Sequence, residues 1–132
     1  MVGRKIAVLR SRQGPAIPDY RFGDIIEAAI PDPNDKNIKP RPVLIISPND
    51  EVAIRHHLNV MAISSSNFPP VMPDCWFELP WDPDGHVTTG LTMRCVVKCD
   101  WRVSIPKENV IRKWGRAPGA IMKKVATYLA NL

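Results

Sequence analysis

Residues 37–64 read NIKPRPVLIISPNDEVAIRHHLNVMAIS, and the two apolar runs inside them decide the kind of fold. VLIIS (43–47) and LNVMAIS (58–64) are short, rich in Val and Ile, and bounded by Pro, Asn and Asp, which marks strands. Just before the first run, Arg41 stands between Pro40 and Pro42. Each proline fixes its own φ, lacks an amide donor and restricts the residue before it. Arg41 is therefore pushed toward extended backbone, and its side chain is aimed from a stiff frame where a loop meets a strand. A planar fork of donors in that position suits a phosphate or a carboxylate. A surface arginine between turn prolines is the plainer reading.

Working outward, YRFGDIIEAAI (20–30) opens the regular part. Gly23 and Asp24 mark a turn, and Ile25, Ile26, Ala28 and Ile30 fit a first strand, although a helix is compatible with this segment taken alone. PDPNDKNIKPRP (31–42) then breaks hard and reads as a loop. Downstream, CWFEL (75–79) is a strand with Trp76 and Glu78 on one face and Phe77 on the other. PWDPDGH (80–86) is a turn, and RCVVKCDWRVSI (94–105) is the longest β-like stretch. PKENVIRKWGRAP (106–118) reads as a short turn or helix ending at Gly115. In PGAIMKKVATYLANL, residues Ile121, Val125, Tyr128, Leu129 and Leu132 form a helical stripe opposite Lys123 and Lys124, with Pro118 at its start. The whole predicts a mainly β (α+β) domain: a small twisted barrel or curled antiparallel sheet of about five to seven strands with a C-terminal helix.

The 132 residues suit one domain, with 45% hydrophobic and 23% charged residues, both ordinary globular values. Residues 1–21 read as an N-terminal arm and 22–132 as a single barrel domain. No apolar stretch approaches bilayer length, and IAVL (6–9) is too short for a signal sequence, so a cytoplasmic protein without a membrane partner is expected. The net charge of +5 is uneven. Both ends are basic and the middle is acidic, which favours a polyanion or an acidic protein segment as partner. Cys75, Cys95 and Cys99 fit neither an even disulfide framework nor a four-ligand zinc site, and are expected to be buried free thiols.

Few motifs carry chemistry. No Walker loop, no dinucleotide fingerprint and no carboxylate cluster at ligand spacing occurs, so no cofactor or metal is implied. His56 and His57 lack a third ligand, and His86 lies in a turn. Ser64, Ser65 and Ser66 follow a strand, but no nucleophile elbow surrounds them. Hydroxyls at a strand end can hold an oxyanion or simply shape a turn. Lys98 and Asp100 share a face by their spacing of two, and Trp101 reads either as core or as a platform for an unpaired base.

Taken in order, FGDIIEAAIPDPNDKNIKPRPVLIIS, NVMAISSS, TTGL, CVVKCDWRVSI and WGRAPGAIMKKV resemble the PemK/MazF toxin family of bacterial type II toxin–antitoxin systems. The resemblance runs from about Phe22 to the C-terminus. It implies a homodimeric SH3-like barrel with metal-independent, sequence-selective endoribonuclease activity on single-stranded mRNA, through a 2′,3′-cyclic phosphate. Arg41 matches the family's catalytic arginine and Ser64 its hydroxyl position, where threonine is commoner. Lys98, Asp100, Thr89, Ser65 and Lys39 are the expected RNA contacts, with lysine at 98 in place of an arginine. A cognate antitoxin with an acidic segment is the implied protein partner. Two other readings share the fold: a CcdB-like inhibitor that binds gyrase and cleaves nothing, and a degenerate member kept as a partner-binding module. The Arg41 and Ser64 pair favours the nuclease, because a pure binder has no need of it.

Overall fold

The structure is a computed structural model, and residues 20–132 are described. The N-terminal arm expected over 1–21 therefore lies outside the described residues except for Tyr20 and Arg21. The chain forms β1 (Asp24–Ile30), β2 (Lys39–Ile45), α1 (Asn49–Ile54), β3 (His57–Ser64), β4 (Trp76–Leu79), β5 (Cys95–Pro106), β6 (Val110–Arg116) and α2 (Gly119–Ala130). All neighbours in the single sheet are antiparallel, in the order β4-β5-β3-β2-β1-β6. The mainly β architecture with a C-terminal helix is as expected.

Irregularities curl this sheet. β6 slips against β1 at two places, between Ile25 and Ile26 and between Glu27 and Ala28. A larger irregularity sits in β5: Met61 faces Arg102 while its neighbour Ala62 faces Lys98, so Cys99, Asp100 and Trp101 are extra residues on β5. Bulges bend a strand and increase its twist. This one also reverses the alternation. Cys95, Val97 and Cys99, the first residue of the bulge, face one core, whereas Trp101, its last, with Val103 and Ile105 faces the other.

The two cores lie on opposite faces of the sheet. One is built on Ile25, Leu44, Met61 and Val97 and is covered by α2 through Val125, Ile121, Met122, Tyr128 and Leu129. The helical stripe is thus confirmed except at Leu132, which lies beyond the helix and is exposed. The second core holds Ile26, Ile30, Val43, Ile45, Leu58 and Val60, with Val52 of α1 and the flank of Trp101. Cys95 and Cys99 are buried free thiols as expected, whereas Cys75 is only half-buried.

Two segments differ from expectation. Residues 110–116 form strand β6 rather than a turn or helix, because β1 offers an edge for them to pair with. The loop from Pro80 to Arg94 lies over the same strand, with the Arg116 amide donating to the Thr88 carbonyl at 2.9 Å. Gly115 permits this approach, since a Cβ there would collide with the Thr88 carbonyl oxygen. Residues 39–42, expected in a loop, belong to β2 and pair with β1. Their prolines have no amide to give, and the β2–β3 ladder begins only at Val43 opposite Ala62. The sheet is therefore open between β2 and β3 at this end.

Candidate functional site: a cation and indole shelf at the β2–β3 mouth

The opening between β2 and β3 places the first two candidate residues. Extended two residues past its last pair, Val43 with Ala62, the β2–β3 register would bring Arg41 level with Ser64. Val43, Ile45 and Ala62 share the second core, so by alternation Lys39, Arg41 and Ser64 project on that same face. The proline frame does what the sequence suggested: it keeps Arg41 in extended backbone while withholding amide bonds from β3.

The Arg41 guanidinium is held without being neutralised. Its Nε donates to the Ile30 carbonyl at 3.4 Å and its Nη2 to the Asn37 carbonyl at 3.1 Å. Its Cζ lies 5.3 Å from the centre of the Trp101 ring. Among the described residues no carboxylate lies within ion-pair distance of it. The loop supplying the Asn37 carbonyl is organised by Asp32, which accepts from the amides of Asn34 and Lys36 and from the Asn37 side chain. The Lys36 amide bond, helped by those of Asn37 and Asn34 and by the charge of Arg41, holds the Asp32 carboxyl below its ordinary range, although desolvation, second in size only to the Lys36 bond, opposes it. Asp35 and Asn37 take positive φ there, at 62° and 53°, which Asp and Asn tolerate better than most residues.

The β5 bulge brings the rest. Lys98 lies between Ala62 of β3 and Trp76 of β4 in register, and Ser64 faces Val96, so Lys98 is a diagonal neighbour of Ser64. The Lys98 Nζ sits 4.2 Å from the centre of the Trp76 ring and 5.8 Å from that of Trp101. Trp76 is fixed by its Nε1–H, which donates to Asp100 Oδ1 at 2.8 Å. Lys98, Trp76 and Trp101 are half-buried and Asp100 is exposed. Two cations and two indoles thus alternate across one shelf.

The Ser64 hydroxyl is half-engaged. It donates to the Ser66 carbonyl at 3.3 Å, and the Ser66 amide approaches its oxygen at 3.5 Å. Ser65 is exposed in the same turn, and Lys39 is exposed at the start of β2 on the Arg41 face. Thr89 is not part of this cluster. It is fully buried in the loop between β4 and β5, where its hydroxyl donates to the Pro80 carbonyl at 2.8 Å and accepts the Leu91 amide at 3.1 Å. Both hydrogen-bonding roles of that hydroxyl hold the loop in shape.

Sequence reasoning missed Trp76 and the Asp32 loop. Trp76 was placed on the correct face of its strand, but only the register with Lys98 shows what it meets. The Asp32 loop carried a readable signal in D-P-N-D-K-N, since Asp and Asn side chains readily bond to backbone a few residues on. Among the described residues no three His, Cys, Asp or Glu side chains gather closely enough to hold a metal ion, and no helix is long and apolar enough to cross a membrane.

Comparison with known proteins agrees with this fold. Residues 21–132 match the family described as PemK-like, MazF-like toxin of type II toxin–antitoxin system. No curated protein matches the sequence itself. Among solved structures, the fold is similar to that of an endoribonuclease in complex with its cognate antitoxin from a mycobacterial species, with TM-score 0.63, 19% identity and coverage of 85% of this chain and 92% of that one. The Mycobacterium tuberculosis toxin MazF-mt6 gives TM-score 0.58 at 22% identity, covering 82% and 93%. A MazE–MazF complex from Deinococcus radiodurans gives 0.62 at 17% identity, covering 87% and 96%.

Proposed function

The chain belongs to the PemK-like, MazF-like toxin family of type II toxin–antitoxin systems, and from that premise we propose that it is an endoribonuclease that cuts single-stranded mRNA at selected sequences without a metal ion. The observation that carries the reading is Arg41: a guanidinium held on two carbonyls and an indole face, with no carboxylate within ion-pair distance among the described residues, on the strand beside the one that ends at Ser64.

The chemistry asked of such a site is modest. The substrate's own 2′-hydroxyl attacks the adjacent phosphorus, so the 2′-oxygen–phosphorus bond forms as the phosphorus–5′-oxygen bond breaks. The 2′-hydroxyl gives up its proton to solvent and the departing 5′-oxygen takes one back, leaving a 2′,3′-cyclic phosphate and a 5′-hydroxyl. The protein must align these atoms and stabilise the negative charge that grows on the phosphoryl oxygens. Arg41 supplies fixed positive charge and a fork of donors. It acts by charge rather than by giving up a proton, since a guanidinium is effectively always protonated. Ser64 donates to a second oxygen once its bond to the Ser66 carbonyl is exchanged for one to the substrate. Lys98, Lys39 and Ser65 hold neighbouring phosphates, and Asp100 acts through Trp76. Thr89, enclosed in its loop, is left out.

A homodimer and a cognate antitoxin are part of the same proposal. The antitoxin's acidic segment would occupy the cationic shelf that RNA uses, so the two compete. MazE–MazF complexes among the similar folds support such a partner.

The test is expression of the chain alone in a bacterium, beside Arg41→Ala. Wild type stops growth and fragments mRNA, and the variant does neither. Purified protein cleaves an RNA oligonucleotide in EDTA and leaves cyclic phosphate ends. Growth arrest that persists in Arg41→Ala with intact mRNA overturns the nuclease reading in favour of a protein-binding inhibitor.

A further inference from the structure

Lys98 and its two indoles have a geometry that charge stabilisation at phosphorus does not require. We propose that the shelf formed by Trp76 and Trp101 is a nucleobase-binding site, on which two unpaired bases of the bound strand stack beside the phosphate held by Arg41. This deepens the ribonuclease reading and rests on it for the identity of the strand.

Both rings are half-buried rather than enclosed. Trp101 has one flank on the second core and has Arg41 and Lys98 over its ring. The Trp76 ring carries Lys98 at 4.2 Å and is fixed by its bond to Asp100 at 2.8 Å. A pinned indole presents a face of fixed orientation, which lowers the ordering cost of stacking on it. The Lys98 ammonium on the Trp76 face sits on a flexible stem. With no carboxylate among the described residues holding Lys98, its ammonium can leave the ring for a phosphate oxygen and free the face for a base. The exchange conserves both attractions, since ammonium meets phosphate as ring meets ring. An aromatic surface interleaved with unneutralised cations is the pattern that single-stranded nucleic acid occupies. A protein segment rich in carboxylates would satisfy the cations alone and leave the rings uncovered.

The Lys98–Trp76 pair depends on the strand register, and the Trp101 position depends on the bulge at Cys99–Trp101. Neither follows from Arg41 and Ser64, so base recognition and phosphate chemistry are separable.

The experiment uses a 2′-O-methyl oligonucleotide, which lacks the attacking hydroxyl, so that binding is measured whether or not the protein cleaves RNA. An abasic residue is walked along this oligonucleotide against wild-type protein. Loss of about 5- to 150-fold in affinity is expected at two positions, with quenching of tryptophan fluorescence that the abasic versions weaken. Trp76→Ala then removes the sensitivity at one of those positions, while Trp76→Phe, which keeps a ring but loses the bond to Asp100, retains most of it. Equal affinity for every abasic oligonucleotide overturns the proposal. So does an unchanged abasic profile in a folded Trp76→Ala protein. If wild type binds with this profile yet never cleaves the unmethylated RNA, the ribonuclease reading fails while the base site stands.

Discussion

Among the described residues arginine lies over an aromatic ring at three places, and the places differ in one respect. At the β4–β5 end, Arg94 stacks on Phe68 at 4.7 Å and gives two hydrogen bonds to Glu78, at 3.1 and 3.2 Å. Arg112 lies 5.7 Å from the Trp114 ring and bonds Glu27 at 2.8 Å. Arg41 lies on Trp101 but gives its hydrogen bonds to backbone carbonyls. The first two guanidinium groups are neutralised by carboxylates. The third has no carboxylate within ion-pair distance among the described residues and is held on carbonyls and an indole. Glu78 registers the difference, its carboxyl being held below the ordinary range first by the hydrogen bonds from Arg94 and then by the attraction of that charge. Stacking fixes an arginine, and the choice of acceptor decides whether its charge is left for a ligand.

The comparison predicts unequal effects of removing these arginines. Arg41→Ala should lower the RNA cleavage rate by about 10²- to 10³-fold, as loss of a preorganised charge does, with the protein still folded by circular dichroism. Arg94→Ala should leave cleavage unchanged. Equal losses in single-turnover assays would mean that the carboxylate partner is irrelevant and would break the comparison. Ser64→Ala comes next, at about 3- to 10-fold, the scale of one ordinary hydrogen bond. Ser64→Thr should restore the rate, which tests the hydroxyl against mere turn formation.

Lys98 sharpens the contrast by salt rather than by rate. Unneutralised cations release counterions from a bound strand, and each phosphate contact in a single strand adds about 0.7 to the slope of log affinity against log salt. Lys98→Ala should lower that slope by about this amount with a 2′-O-methyl oligonucleotide. Glu78→Gln, which frees Arg94 from its ion pair, should leave it unchanged. A slope that responds to both would place the strand across both regions.

The sequence reveals elements whose local chemistry agrees with their surroundings. VLIIS and LNVMAIS are strands by composition and are buried as such, and the α2 stripe is legible from its period. β6 was hidden because most of VIRKWGR is exposed or half-exposed and Ile111 is 53% exposed, so its pattern lacks the alternation of a half-buried strand. Its existence is tertiary, resting on β1 and the loop carrying Thr88. The start of β2 was hidden by its prolines, which are tolerated there because one side of the strand carries no ladder until Val43. In the site, Arg41 was conspicuous from its flanks. Its place beside the strand that ends at Ser64 required the strand order, and the turning of Trp101 toward Arg41 required the three-residue bulge. No local pattern encodes either.

The smallest expected effect lies beneath the shelf, where Cys99 separates Lys98 from the α2 core. Burial first, then the nearby Cys75 thiol and the Asp100 charge, pushes the Cys99 thiol up to about 11, with Arg102 opposing slightly. An acid whose pKa is raised on folding favours its protonated form in the folded state. Its contribution to stability is therefore complete below the ordinary thiol value of 9.0 and is lost as pH rises toward 11. Raising the pH from 9 to 11 should lower the melting temperature of wild type, and Cys99→Ala should reduce the steepness of that fall while costing stability at neutral pH through the small cavity it leaves. Thiol labelling at pH 8 should be slow at Cys99 and faster at the half-buried Cys75, whose pKa is also raised by burial. Rapid labelling of Cys99 in the folded protein would show that the bulge opens, and with it the floor on which Lys98 and Trp101 are held.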